Sequence, residues 1–292
     1  MTNNLTPNPD PSESDSILNI DSSVALSNGR SIPALGLGVF QISDGQAVRD
    51  AVTWSLEAGY RHIDTARLYR NERGVGEAIH SSGISRDKIC VTTKLFPIDA
   101  LWVESALRKS LKRLNLDYVD LYLVHFPPPG RLLSTWKQME AVAKLGLAKS
   151  IGVSNYSISQ LTRTIKVAEI APVVNQIHLS PYHYSAELVE SCKKLGVAVE
   201  AYSPLARGHK MTDPTLVSIS QTHDKSPAQV LIRWSLQHNF VVIPKSSHRD
   251  RIASNADVYD FTLSRAEMAA LDSVEQITLS IKTALSMRKS AQ

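Results

Sequence analysis

The sequence predicts a single (β/α)8 barrel with an N-terminal β-hairpin plug and an extra C-terminal helix, and three observations carry that expectation. First, short apolar runs at 35–40, 60–66, 89–95, 119–125, 148–155, 173–180, 198–205 and 241–246 alternate with segments of helical period. Near-continuous apolar strands separated by helices imply a parallel sheet covered on both faces, and eight such units imply closure into a barrel. Second, a length of 292 residues suits one large domain, because single α/β barrels run to ~250 residues. Third, the rival architecture, a doubly wound sheet, would bring a G-x-G-x-x-G turn after its first strand, whereas Gly36 and Gly38 are followed by Val39, Phe40 and Gln41.

Taken in order, residues 1–22 are rich in Asn, Pro, Ser and Asp with almost nothing to bury, so a disordered polar tail is expected there. The barrel domain is expected over 23–277, and a patternless C-terminal segment over 278–292. Within 24–33, Asn28-Gly29 lies between two short extended runs and reads as a hairpin turn, because both positions tolerate positive φ. The hairpin is expected to plug the bottom of the barrel. Amphipathic helices at 103–114 and 185–196 are typical of the segments between strands. Past the eighth unit, Ser264 with Glu267 three residues on forms a capping box that opens one more helix.

Composition excludes several classes of function. No apolar run approaches the ~18 residues of a membrane span, and the N-terminus lacks a basic start and an apolar core, so a cytoplasmic protein without membrane contact is expected. Cys90 and Cys192 have no CxxC spacing, fit a reducing compartment and read as packing residues. The first 29 residues hold four acidic groups and no Lys or Arg, leaving 32 basic against 24 acidic residues thereafter, a balance of +8. No Lys/Arg cluster or aromatic array marks a nucleic-acid face, so a small phosphate-bearing ligand is expected instead, bound by a monomer. His178 and His183 invite a metal reading, but Pro181 between them breaks a helical turn and no third ligand is evident; no metal is expected.

In an α/β barrel, polar residues at the C-terminal strand ends are the functional candidates. Strand two ends at Asp64 with Tyr69 just beyond, strand three ends at Lys94 and strand four at His125. Each alone has an ordinary structural explanation, but four ionisable groups from three consecutive strands converge on one side of the mouth.

Four segments carry a resemblance: GYRHIDTARLYRNE (59–72), LDYVDLYLVHFP (116–127), IGVSNYS (151–157) and VVIPKSSHRDRIASN (241–255). Together they resemble the aldo-keto reductases over about residues 24–276. The resemblance implies NADPH-dependent reduction of an aldehyde or ketone to an alcohol, with Asp64, Tyr69, Lys94 and His125 in the four catalytic positions. The chemistry suits the residue types. Hydride arriving at a carbonyl leaves charge on oxygen, so a proton donor is needed, and a phenol with a pKa of ~10 holds its proton tightly at pH 7. A Lys⁺ ~4 Å away at an effective dielectric of ~20 contributes about 4 kcal/mol and would bring Tyr69 towards a pKa of ~7. Asp64 is expected to hold Lys94, and a neutral His125 to orient the carbonyl oxygen by a hydrogen bond.

The same resemblance implies that Ser154, Asn155 and Gln176 bind the nicotinamide carboxamide and that Tyr202 stacks on the ring, with Ser203 and Leu205 completing that part of the cofactor site. Lys245, Ser246 and Arg251 are implied at the adenosine 2′-phosphate, where two cations and a hydroxyl near a helix N-terminus suit a dianion. Asn255 is implied at the adenine. Phe40, Phe96 and Phe126 stand where many relatives carry Trp and, with His125, are expected to line the substrate pocket. Ser254 replaces a Glu that many relatives use to fasten the cofactor. Short connections at 127–136 and 206–213 imply an open mouth. The competing reading is a nucleotide-binding regulatory protein on the same scaffold, but a binder has no use for Tyr69, Lys94 and His125 together.

Overall fold

In the computed structural model, which describes residues 18–274, the chain enters through an antiparallel hairpin. Strands β1 (Ser23–Ala25) and β2 (Ser31–Pro33) pair with Val24 opposite Ile32. Gly29 turns the hairpin at φ 79°, a conformation that favours glycine. Val24, Leu26 and Ile32 are buried, and the Asn28 amide donates a 3.0 Å hydrogen bond to Ser150 Oγ near the start of a barrel strand. The hairpin thus caps the N-terminal end of the barrel, as expected.

Eight parallel strands follow in sequential order: β3 (Leu37–Gly38), β4 (His62–Asp64), β5 (Cys90–Leu95), β6 (Val119–Val124), β7 (Ala148–Ser154), β8 (Val174–His178), β9 (Ala198–Tyr202) and β10 (Val241–Ile243). The first and last meet through a bridge between Leu35 and Val242, with Gly36 N–H donating to Val242 O at 2.9 Å and Val242 N–H to Ala34 O at 2.8 Å. These two strands are shorter than the apolar runs that announced them. Pro244 lacks an N–H, so it can only accept, here from Gly38 N–H at 3.1 Å. The two glycines of the first strand have their explanation at this seam. A Cβ on Gly36 would stand 2.6 Å from His62 Nδ1, and one on Gly38 would stand 2.9 Å from Ile243 O.

Helices α1 (Gln46–Glu57), α2 (Glu72–Ser81), α3 (Val103–Leu114), α4 (Leu132–Lys144), α5 (Ile158–Ile165), α6 (Ala186–Lys194), α7 (Pro214–Thr222), α8 (Pro227–Gln237) and α9 (Arg249–Ala256) cover the barrel. Both α7 and α8 lie between β9 and β10, which accounts for the widest spacing between strand starts. Capping boxes at Ser157/Gln160 and Ser226/Gln229 open α5 and α8. The expected box at Ser264/Glu267 likewise opens a helix over 265–274.

The folded unit begins earlier than the expected boundary at residue 23. Leu18 and Ile20 pack against the core, and the Ser22 carbonyl accepts from Ala34 N–H, because two apolar side chains suffice to anchor a segment whose average composition is polar. The rest of the expected tail, residues 1–17, and the expected segment at 278–292 lie outside the described residues. Cys90 opens β5 half-buried, whereas Cys192 is buried. Among the described residues, no helix is long and apolar enough to cross a membrane.

The packing of α2 on α3 is tight enough to test. A Cβ on Gly76 would stand 2.0 Å from the Leu114 carbonyl oxygen, a backbone atom that cannot rotate away. In an exposed helix Gly→Ala would stabilise by ~1 kcal/mol. Here overpacking outweighs that gain, and Gly76→Ala is expected to lower the denaturant-derived unfolding free energy by about 1–2 kcal/mol.

Candidate active site

Side chains alternate along a strand, so His62 and Asp64 of β4, Thr92 and Lys94 of β5, Gln176 of β8, and Glu200 and Tyr202 of β9 all project into the barrel. Lys94 is fully buried and donates to both Asp64 oxygens at 2.6 and 2.7 Å, to Thr65 O at 2.9 Å and to the Tyr69 hydroxyl at 3.3 Å. Gln176 Nε2 donates to Asp64 Oδ2 at 2.9 Å from the far side of the barrel. Tyr69 ends a short 3-10 turn (Arg67–Tyr69), and Arg70 after it takes a positive φ of 59° that swings the chain away. Asn71 pins this turn by donating to Val39 O and Ile42 O and accepting from Thr65. Glu72 is anchored by Thr93 and Arg113. These last two residues of the 59–72 motif therefore hold the loop that presents Tyr69.

The electrostatics modify one expectation. Burial raises the Tyr69 pKa, and the opposing pull of Lys94 does not overcome it, since Asp64 and Glu200 add to the rise. Lys94 lowers the proton affinity of Tyr69 relative to a buried phenol, but does not bring it near neutrality. Burial disfavours the Lys94 charge too, yet Asp64 and Tyr69 outweigh it and its pKa is raised. The His125 pKa is lowered to about 3, by burial first and by Lys94 second, so its ring is neutral at pH 7. That ring lies edge-on to Tyr69 at 5.7 Å between centroids and stacks on Phe126 at 4.6 Å.

Beside this group, Asn155 takes φ 61° and donates to His125 O at 3.2 Å and to Ser154 Oγ at 3.0 Å, while Tyr202 donates to Asn155 Oδ1 at 2.9 Å. Ser154, Asn155, Gln176 and Tyr202 are thus joined to the four ionisable residues. His178 and His183 come together after all: the Pro181–His183 turn stacks their rings at 4.0 Å, and His178 stacks on Tyr202 at 5.4 Å and 9°. They form an aromatic backing for one face of Tyr202. Among the described residues, no group of three or more His, Cys, Asp or Glu side chains converges as a metal site.

A cleft of about 740 Å³ runs from Phe40 between β3 and β10, lined by Ser203, Leu205, Lys245, Ser246, Arg251 and Asn255 among others. Lys245 and Arg251 are exposed, and neither makes an ion pair among the described residues. The first turn of α9 has no side-chain cap of its backbone N–H groups. Two cations, the Ser246 hydroxyl and uncapped helix donors form a donor set suited to a phosphate. Sequence reasoning missed Arg207, a third cation lining this cleft, held there by a turn in which Ser203, Ala206 and Arg207 all have positive φ. Ser254 also lines it. Phe40 and Phe126 form a half-exposed rim at the mouth, with Phe40 5.0 Å from Tyr69. Phe96 instead lines a neighbouring groove with Leu68 and Ile98.

Residues 34–276 match the model of the Aldo/keto reductase family. The chain is 42% identical to a glyoxal reductase of Bacillus subtilis over 255 residues, covering 87% of this chain and 92% of that one. It is also 42% identical over 258 residues to a 9,11-endoperoxide prostaglandin H2 reductase of Trypanosoma cruzi, with 87% and 91% covered. Among solved structures, an aldo/keto reductase from Brucella melitensis superposes with a TM-score of 0.83 at 45% identity, covering 86% of this chain and 98% of the other. A Bombyx mori aldo-keto reductase in complex with NADP gives 0.80 at 40% identity, with 86% and 92% covered.

The buried imidazoles give a measurable pH response. His62 and His125 are both held at about pKa 3, largely by burial. Their ring signals in NMR are expected not to titrate between pH 5 and 8. In the unfolded chain both protonate near pH 6.5, so folding stability falls as pH drops from 6.5 towards 3, by at most ~1.4 kcal/mol per pH unit for each. A titration of either ring near pH 6.5 in the folded protein would contradict this.

Proposed function

The chain belongs to the aldo/keto reductase family, and on that premise we propose that it reduces aldehydes or ketones to alcohols with NADPH, with Tyr69 as general acid. The observation that carries this reading is the Tyr69 hydroxyl 3.3 Å from the Lys94 ammonium, which Asp64 holds in a fully buried ion pair. NADPH, when bound, supplies the hydride to the carbonyl carbon. As the carbonyl C=O electrons move onto oxygen, Tyr69 gives its proton to that oxygen and the Lys94 charge stabilises the phenolate left behind, which solvent then reprotonates. His125, neutral and edge-on to Tyr69, hydrogen-bonds the carbonyl oxygen and orients it. Asp64 keeps Lys94 in place and charged.

Ser154, Asn155 and Gln176 would hold the nicotinamide amide, and Tyr202, backed by His178, would support the ring. Ser203 and Leu205 would flank the dinucleotide along the cleft, Asn255 would meet the adenine, and Lys245, Ser246 and Arg251 would hold the 2′-phosphate. The substrate is a small carbonyl compound set against the apolar rim of Phe40 and Phe126. The half-exposed rim supports acceptance of several unrelated carbonyl compounds, and a single chain supplies every residue invoked.

Two measurements decide this reading. Tyr69→Phe is expected to lower kcat for carbonyl reduction by about 10²–10⁴-fold while the Kd for NADPH changes little. Equal loss of cofactor binding would mean that the acid is misassigned. The joint replacement of Lys245 and Arg251 by Ala is expected to raise the KM for NADPH by tenfold or more, roughly the loss of one charge-assisted contact, and to change that for NADH little. Comparable losses for both cofactors would remove the 2′-phosphate assignment.

A further inference from the structure

Inside the barrel, one ionisable side chain has no part in the mechanism above. Glu200 lies on β9 in register with Gln176 and Val241, two residues before Tyr202, and is fully buried. Its Oε1 is 3.7 Å from His62 Nε2, which itself sits 3.0 Å from Thr92 Oγ1. Neither Glu200 oxygen has a well-formed hydrogen bond among the described residues, because the neighbouring Gln176 amide is directed at Asp64 and reaches Glu200 only weakly, and His62 Nδ1 is likewise unpartnered. A buried carboxylate normally needs several donors to remain charged.

We propose that Glu200, set against neutral His62, is a positioning residue for the carbonyl reduction: while it holds its proton the Lys94 charge acts on Tyr69, and its ionisation makes Tyr69 a poorer proton donor. The inference rests on the assignment of Tyr69 as general acid. His62 lies against Glu200, and the other titratable groups whose charge acts on it or feels it are Asp64 from β4, Cys90 and Lys94 from β5, and Tyr69 from the turn after β4; the paired residues of β8 and β10, Gln176 and Val241, do not titrate, and Gln176 links Glu200 to Asp64. Among them only Lys94 is a cation, and it is already engaged by Asp64. Burial, and after it Asp64, raises the Glu200 pKa to about 8 against the pull of Lys94 and of the Gln176 amide. Glu200 is therefore neutral at pH 7. Once ionised, it raises the proton affinity of both Lys94 and Tyr69. Glu200 thus couples the middle of the barrel to its mouth.

The test compares Glu200→Gln, which keeps shape and removes the charge, with the unaltered protein. In the unaltered protein kcat for reduction is expected to fall about threefold or more between pH 7 and 9 with a midpoint near 8, while in Glu200→Gln the ratio of the two rates stays within about twofold. Identical pH profiles would overturn the proposal. Infrared difference spectra need no turnover: a protonated-carboxyl band present in the unaltered protein and missing in Glu200→Gln should disappear between pH 6 and 10, and its absence at pH 6 would also overturn the proposal. Thermal melting supplies a third readout. A carboxyl whose pKa rises on folding costs stability as pH climbs from its unfolded value to its folded one, so the Tm advantage of Glu200→Gln should grow from pH 5 to 8 and level off above. If no carbonyl compound is reduced at any pH, the functional reading fails. Tyrosinate absorbance, corrected by Tyr69→Phe in each background, then decides the coupling: a lower Tyr69 midpoint in Glu200→Gln supports it, and an unchanged one overturns it.

Discussion

Everything at the mouth of this barrel depends on one buried ion pair. An ammonium removed from water is costly unless acceptors surround it, and Lys94 has Asp64, the Thr65 carbonyl and the Tyr69 hydroxyl about it. The pair joins β4 to β5, and Gln176 extends it to β8 across the barrel. Removing Asp64 or Lys94 would leave the other charge buried and unpaired, so the reactive group and its main support are fixed together. The arrangement is a constraint on the fold as much as a feature of the site.

That constraint orders the residues outside it. The interior of the barrel below the pair carries His62, Thr92 and Glu200, polar side chains that are fully buried and lie against one another. His62 and His125 stay neutral because burial and the Lys94 charge act in the same direction on both. On the other side, Tyr202, Asn155 and Ser154 form a hydrogen-bonded line that ends at the carbonyl of His125. The cleft beyond it takes its cations from loop and helix residues that have no ion-pair partner among the described residues, so charge at the two ends of the site is managed in opposite ways: paired and dry at Lys94, exposed at Lys245 and Arg251.

Much of this was legible in the sequence because strand periodicity and strand-end chemistry are local. The eight apolar runs, the Asn28-Gly29 hairpin and the Ser264 capping box all follow from short-range patterns, and Asp64, Tyr69, Lys94 and His125 stand where those runs end. What was not legible depends on contacts between distant segments. Glu200 reads as one polar residue in an apolar run until β4 brings His62 beside it. Arg207 shows no signal because its placement rests on consecutive left-handed residues. His178 and His183 were read through Pro181 as separated, whereas the 3-10 turn stacks them. The acidity of Tyr69 was overstated because a pairwise charge calculation leaves out the burial that accompanies the pair. Phe96, just past the end of β5, lines a groove with Leu68 and Ile98.

The seam between β3 and β10 gives the barrel its weakest edge and its most useful one. Other neighbouring strands share longer ladders, but here a few backbone bonds close the circle, on glycines that allow no side chain between them. The cleft straddles that edge, with Phe40 and Gln41 leaving one strand and Lys245 and Ser246 leaving the other. A molecule bound there would act as a clasp across the barrel's fastening, adding its binding energy to closure of the cylinder, and resistance to heat would then rise with its concentration.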